Sequence, residues 1–145
     1  MKLQDYLLIL LNEESSEVIR ASSKVIRHGK DHIIANVDSI TTEDILSNEI
    51  ADCFANIFLL NCSGLTVVPN VSEIMLRDET SFNEIECRVN AIMRVTENNP
   101  NLNLNKQEFE EFKKRVYDIL NTRKYELKEK IDRKNYKAII GEDKK

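Results

Sequence analysis

The apolar residues of the first 28 positions recur at steps of three and four, with Leu3, Leu7, Leu10, Ala21 and Val25 in one row of a helix. The same row passes through Glu14 and Glu17. Gly29 is a natural stop, so the spacing predicts a helix over about residues 3–28. After a polar loop over 29–41, Thr41 or Thr42 can cap a second helix whose first turn carries Glu43 and Asp44, favourable at the positive end of the helix dipole. That helix is expected over about 42–62, with Gly64 beyond it. One of its rows, Leu46, Ile50, Cys53, Ile57 and Leu60, is apolar throughout, and the helix is expected to be largely buried. A second row reads Ile45, Glu49, Asp52, Asn56, Leu59, apolar only at its ends.

Further along, "LTVVPNV" is broken by Pro69 and reads as loop. Ser81 and Glu84 have capping-box spacing, and Phe82, Ile85, Val89 and Ile92 predict a third helix over about 81–97, ending at the loop "ENNPNLNLN". Asn105 and Glu108 repeat the start signal. Phe109, Phe112, Val116 and Ile119 open a long fourth helix over about 106–139, with "GEDKK" as a frayed tail. Only three glycines and two prolines interrupt 145 residues, so the expected fold is all-α, a single helical domain over 1–145.

Charge and cysteine usage narrow the function. A net charge of −4 without an aromatic-studded basic stripe argues against a nucleic-acid partner, while a local basic cluster still suits a small phosphate-bearing ligand. Cys53, Cys62 and Cys87 are odd in number and never form C-x-x-C, so they are expected to be reduced fillers in a cytoplasmic protein. The apolar run Leu7–Leu11 is too short for a membrane span and runs at once into Glu13 and Glu14. Gly-x-Gly-x-x-Gly, Walker, Gly-x-Ser-x-Gly and Cys–His arrangements are all missing, which removes the residues for dinucleotide binding, P-loop hydrolysis and covalent catalysis.

The acids inside apolar rows carry the candidate chemistry. A lone carboxylate in a low-dielectric interior costs several kcal/mol, so Glu14, Glu17, Glu49 and Asp52 call for a compensating positive charge. Residues three apart on a helix project from one side roughly 5–6 Å apart. Two such pairs suit an oxygen-loving cation, and with no Cys or His placed beside them Mg2+ is preferred to zinc. A single Glu-x-x-Glu is usually a solvated face. Two pairs that both interrupt apolar rows point to a site.

"EESSE" (Glu13, Glu14, Glu17) followed by "EIAD" (Glu49, Asp52) resembles the E-E-x-x-E and E-x-x-D motifs of the MazG-like all-α nucleoside triphosphate pyrophosphohydrolases. The stretch "LNEESSEVIRASSKVIRHGKD" is similar to the small MazG-like proteins of bacteriophages and their hosts, and the likeness covers roughly residues 3–62. It implies an oligomeric helical bundle, a homodimer or homotetramer, of about four helices. It further implies Mg2+, with Mn2+ as a substitute, on Glu14, Glu17, Glu49 and Asp52. The implied reaction cleaves a nucleoside triphosphate to the monophosphate and pyrophosphate, with dUTP, dCTP or a non-canonical dNTP as candidate substrates. Glu13 or Glu14 is then the expected catalytic base.

Three more residues are substrate-binding candidates. Lys24 and Arg27 follow Glu17, with Arg20, as a cationic ladder able to hold phosphates, or as a charged edge paired with Glu13 and Glu17. Asn56, one turn beyond Asp52, either orients a ligand or is a buried, satisfied amide. His28 and His32 are expected on the surface. The alternative function is a non-catalytic helical module of the same fold that senses a nucleotide or binds a protein.

Overall fold

The computed structural model describes residues 1–34, 39–66, 68–99 and 104–140, with side chains as far as residue 135. Five helices follow one another among the described residues: α1 (Leu3–His28), α2 (Thr42–Cys62), α3 (Val71–Met75), α4 (Glu79–Asn98) and α5 (Lys106–Ile140). The only extended pairing there is an isolated antiparallel bridge between Ile33 and Thr41. The chain is therefore all-α, as its periodicity predicts. Parts of the expected loops (35–38, 67 and 100–103) and the tail 141–145 lie outside the described residues.

The local chemistry of the helix ends explains the boundaries. Gly29 adopts φ 83°, which favours glycine, and its N–H returns to the Val25 carbonyl at 2.9 Å to close α1. Thr41 caps α2 in a reciprocal box: its hydroxyl accepts from Asp44 N at 3.1 Å, and the Asp44 carboxylate accepts from Thr41 N at 2.8 Å. The buried Thr42 hydroxyl lies 2.5 and 2.9 Å from the carbonyls of Gly29 and Lys30, which ties the start of α2 to the end of α1. The α4 boundary differs from its expected start at Ser81. Asp78 is the cap, accepting from Ser81 N at 2.9 Å and from its hydroxyl at 2.7 Å, because a carboxylate is the stronger acceptor. Asn105 opens α5 by accepting from Gln107 N at 2.9 Å.

α1 and α2 form an antiparallel hairpin. Gln4 reaches the Ser63 carbonyl at one end and Thr42 reaches Gly29 at the other. Leu3 and Leu7 of α1 meet Phe58, Leu59 and Leu60 of α2 in a core completed by Val71 and Met75 of α3, Phe82, Ile85 and Val89 of α4, and Phe112, Val116 and Leu120 of α5. Each such side chain contributes roughly 1.5–3 kcal/mol. α5 also donates to free helix carbonyls, from Arg115 Nε to Cys62 at 2.8 Å and from Arg123 Nε to Leu76 at 3.2 Å.

Apart from Thr42 at its start, the buried residues of α2 lie in its second half. Of the apolar row Leu46, Ile50, Cys53, Ile57 and Leu60, only Leu60 is fully buried, and Ile50 is 39% exposed. The second half of α1 and the first half of α2 extend past the buried cluster to which α3, α4 and α5 contribute. All three cysteines are free, and burial pushes the Cys62 thiol up to about 12, which leaves it neutral and inert. Among the described residues no helix is long and apolar enough to cross a membrane.

Thr41→Ala is expected to cost about 1 kcal/mol in urea unfolding. The hydrogen bonds from Thr41 and Ser81 hold the Asp44 and Asp78 carboxyls below their ordinary range. Folded-state values depressed in this way contribute stability above the unfolded aspartate pKa near 3.8, and that stability is lost as pH falls through the folded values. The Asp44→Asn/Asp78→Asn double variant should therefore show a flatter acid limb, read from thermal melts across pH 2–5.

Candidate metal centre

Glu14 and Glu17 lie on the α1 row that faces α2, and Glu49 is brought against them from the exposed half of the hairpin. One carboxylate oxygen from each of Glu14, Glu17 and Glu49 lies within 4.8 Å of the others, and all three side chains are half-buried. Oxygens on one octahedral Mg2+ sit at most about 4.2 Å apart, and on Ca2+ about 5 Å. A small closure of these side chains would therefore bring them into the range of a hard cation.

Asp52, the fourth acid of the expected set, stands outside that group. It accepts a short hydrogen bond from Arg88 Nη2, which reaches over from α4. The same guanidinium lies 3.3 Å from Glu84, one turn back on its own helix, and 3.6 Å from Glu14 through Nη1. One half-buried cation thus serves carboxylates from α1, α2 and α4. Arg20 pairs with Glu17 at 2.8 Å, but the Arg20 side chain is 68% exposed, so the pair adds little.

The remaining negative charge shows in the protonation equilibria. Glu14 is held above the ordinary glutamate range, first by desolvation, then by the charges of Asp52 and Glu17, against the opposing pull of Arg88. Glu49 is raised first by desolvation, then by the charge of Glu17, its hydrogen bond with Glu17 and the charges of Asp52 and Glu14. No cation pairs with Glu49 among the described residues.

The other candidates separate. Glu13 is exposed and outside the three-carboxylate group. Lys24 lines a cavity of about 300 Å3 together with Glu17, Arg20, Ala21, Ile45 and Glu49. Arg27 does not; it gives Nε to the Ser23 carbonyl at 3.2 Å and borders a neighbouring cavity. Asn56 is 1% exposed, and its Nδ2 has no hydrogen-bond partner among the described residues. Arg88 and Glu84 were not legible as site residues. Their only sequence signal is an i,i+4 acid–base pair at the edge of the Phe82, Ile85, Val89, Ile92 stripe.

No family model, curated protein or solved structure matches the chain.

Removing Arg88 leaves three carboxylates without their shared cation. With the side chain 22% exposed, Arg88→Met is expected to cost about 1–3 kcal/mol in metal-free buffer, between the surface and buried limits for ion pairs. Adding Glu14→Gln to that variant should recover part of the loss in a double-mutant cycle by urea unfolding, because the two residues share one network.

Proposed function

We propose that the chain is a Mg2+-dependent nucleoside triphosphate pyrophosphohydrolase, releasing pyrophosphate and a nucleoside monophosphate. The observation that carries this reading is the convergence of the Glu14, Glu17 and Glu49 carboxylates to within 4.8 Å, with Glu17 and Glu49 lining a cavity that Lys24 also lines. The resemblance of residues 3–62 to MazG-like enzymes supports it and supplies dUTP, dCTP and non-canonical dNTPs as candidate substrates.

Glu14, Glu17 and Glu49 would hold the ion, and Mn2+ would be accepted by the same oxygens. When bound, the ion polarises the α-phosphate and lowers the pKa of an attacking water. Glu13 or Glu14 would accept the proton, and of the two it is Glu14 that stands within the acid cluster while Glu13 is exposed. Lys24 neutralises phosphate charge at the cavity edge. Arg88 fixes Asp52 and so sets the position of α4 against the acid row.

A second reading, a non-catalytic helical module, draws on one observation. Arg88 already compensates part of the negative charge, as a purely structural ion network would.

The two readings separate on pyrophosphate release from a panel of canonical and modified dNTPs. The enzyme reading expects release with Mg2+, none in EDTA, and near-complete loss in Glu17→Gln. It also expects Glu17→Gln to be at least as stable as wild type in EDTA, since one repelling charge is gone, and to gain less from Mg2+. Release indistinguishable from Glu17→Gln across the panel would leave the non-catalytic module.

We further propose a homo-oligomer, dimer or tetramer, of cytoplasmic location. Leu8, Ile19 and Ile26 share a row of α1 with Ser15 and are 40%, 66% and 84% exposed. The Ser15 hydroxyl lies 3.7 Å from Cys53 Sγ, and Ile50, 39% exposed, precedes Cys53 by one turn, so the apolar surface continues onto α2. Light scattering at micromolar concentration should give a multiple of 16.8 kDa, and Ile19→Asp/Ile26→Asp should shift it toward one chain. A wild-type monomer would contradict this.

A further inference from the structure

The end of α1 builds a second pocket whose chemistry is opposite to that of the acids. Lys24, Arg27, His28, His32, Ile34 and Thr42 surround a cavity of about 300 Å3. Four of these six side chains are basic and none is acidic, in a chain whose acids outnumber its lysines and arginines by 25 to 21. Among the described residues Lys24 has no ion-pair partner, and the hydrogen bond of Arg27 is made by Nε, to the Ser23 carbonyl. His28 and His32, which both line this cavity, stack with ring centroids 4.9 Å apart and planes at 26°.

Backbone dipoles do not account for the pocket. The negative end of α1 and the positive end of α2 meet here and oppose each other. The first N–H groups of α2 are also already bonded, Thr42 N to His32 O, Glu43 N to Lys30 O and Asp44 N to the Thr41 hydroxyl. Side-chain cations therefore supply the attraction. The Thr42 contacts to Gly29 and Lys30 fix the wall they stand on.

We propose that this cavity is a polyphosphate-anion site, distinct from the acid cluster and joined to it through Lys24, which lines both cavities. The helix rise puts Lys24 about 10 Å and His28 about 16 Å from Glu17 along α1. The pocket therefore receives a phosphate group remote from the carboxylates. Its volume suits a condensed phosphate better than a single halide. The fork of Arg27 and two imidazoles favour tetrahedral phosphate oxygens. The ligand is either free condensed phosphate or the tail of a nucleotide, and only the second source rests on the proposed hydrolase reading.

The test is a titration of the full chain with inorganic triphosphate in EDTA, following the imidazole resonances of His28 and His32 by NMR and the affinity by calorimetry. Both imidazoles should shift saturably, and Lys24→Gln/Arg27→Gln, with helical content checked by circular dichroism, should weaken binding by about tenfold. A parallel titration with a non-hydrolysable nucleoside triphosphate assigns the source: tighter binding than triphosphate marks a nucleotide tail, equal binding marks free condensed phosphate. Imidazoles unmoved at millimolar triphosphate, or unchanged affinity in the folded double variant, would overturn the proposal. Hydrolysis with unmoved imidazoles would sink this site and leave the hydrolase reading intact. Shifted imidazoles without hydrolysis on any nucleotide would do the reverse.

Discussion

The arrangement of this chain turns on the guanidinium of Arg88. The α1–α2 hairpin presents four carboxylates in rows with apolar residues at both ends, and charges of one sign at half-buried positions cannot be tolerated without compensation. Arg88 reaches Asp52 on α2, Glu14 on α1 and Glu84 on its own helix. It thereby binds α4 to the hairpin at the point where that hairpin would repel itself. The relief is incomplete, because Glu14 and Glu49 remain raised above their ordinary range by desolvation and by the neighbouring acids. A site with charge left over is electrostatically open to a further cation.

α1 organises the rest. Its buried row joins the core at Leu3 and Leu7, becomes acidic at Glu14 and Glu17, and is bordered by Lys24 and Arg27 before Gly29 ends the helix. Apolar, anionic and cationic chemistry follow one another along a single rigid rod, and the close of α1 is locked to the start of α2 by Thr42. Along α1 the spacing from Glu14 and Glu17 to Lys24 and Arg27 is thus set by helix geometry, while His32 and Ile34 of the following loop complete the basic pocket.

Much of this was legible in the residues. α1 and α2 begin and end where their caps and spacing predict, because Thr41, Asp44 and Gly29 act within one turn of themselves. The grouping of Glu14, Glu17 and Glu49 follows from two rows that each depart from apolar periodicity. α3 went unread because five residues are too few to express a period, and Asn70, in a left-handed conformation after Pro69, carries no side-chain cap. The start of α4 moved because Asp78 caps the helix one turn earlier, accepting from Ser81 N. Arg88 stands 36 residues from Asp52, so no local pattern could pair them. The burial of α2 was overread because a row of apolar residues does not say which half of it the other helices cover.

The central claim, that Glu14, Glu17 and Glu49 form a divalent-cation centre, is tested most directly by paramagnetic broadening of the backbone and side-chain NMR signals with substoichiometric Mn2+. The account predicts that residues 13–18 and 48–53 broaden first, together with the Arg88 Nε–H signal, and that Mg2+ in excess reverses the effect. Broadening that begins instead at other acids, such as those of α5, or that requires millimolar Mn2+ and spreads evenly over the surface, would contradict it.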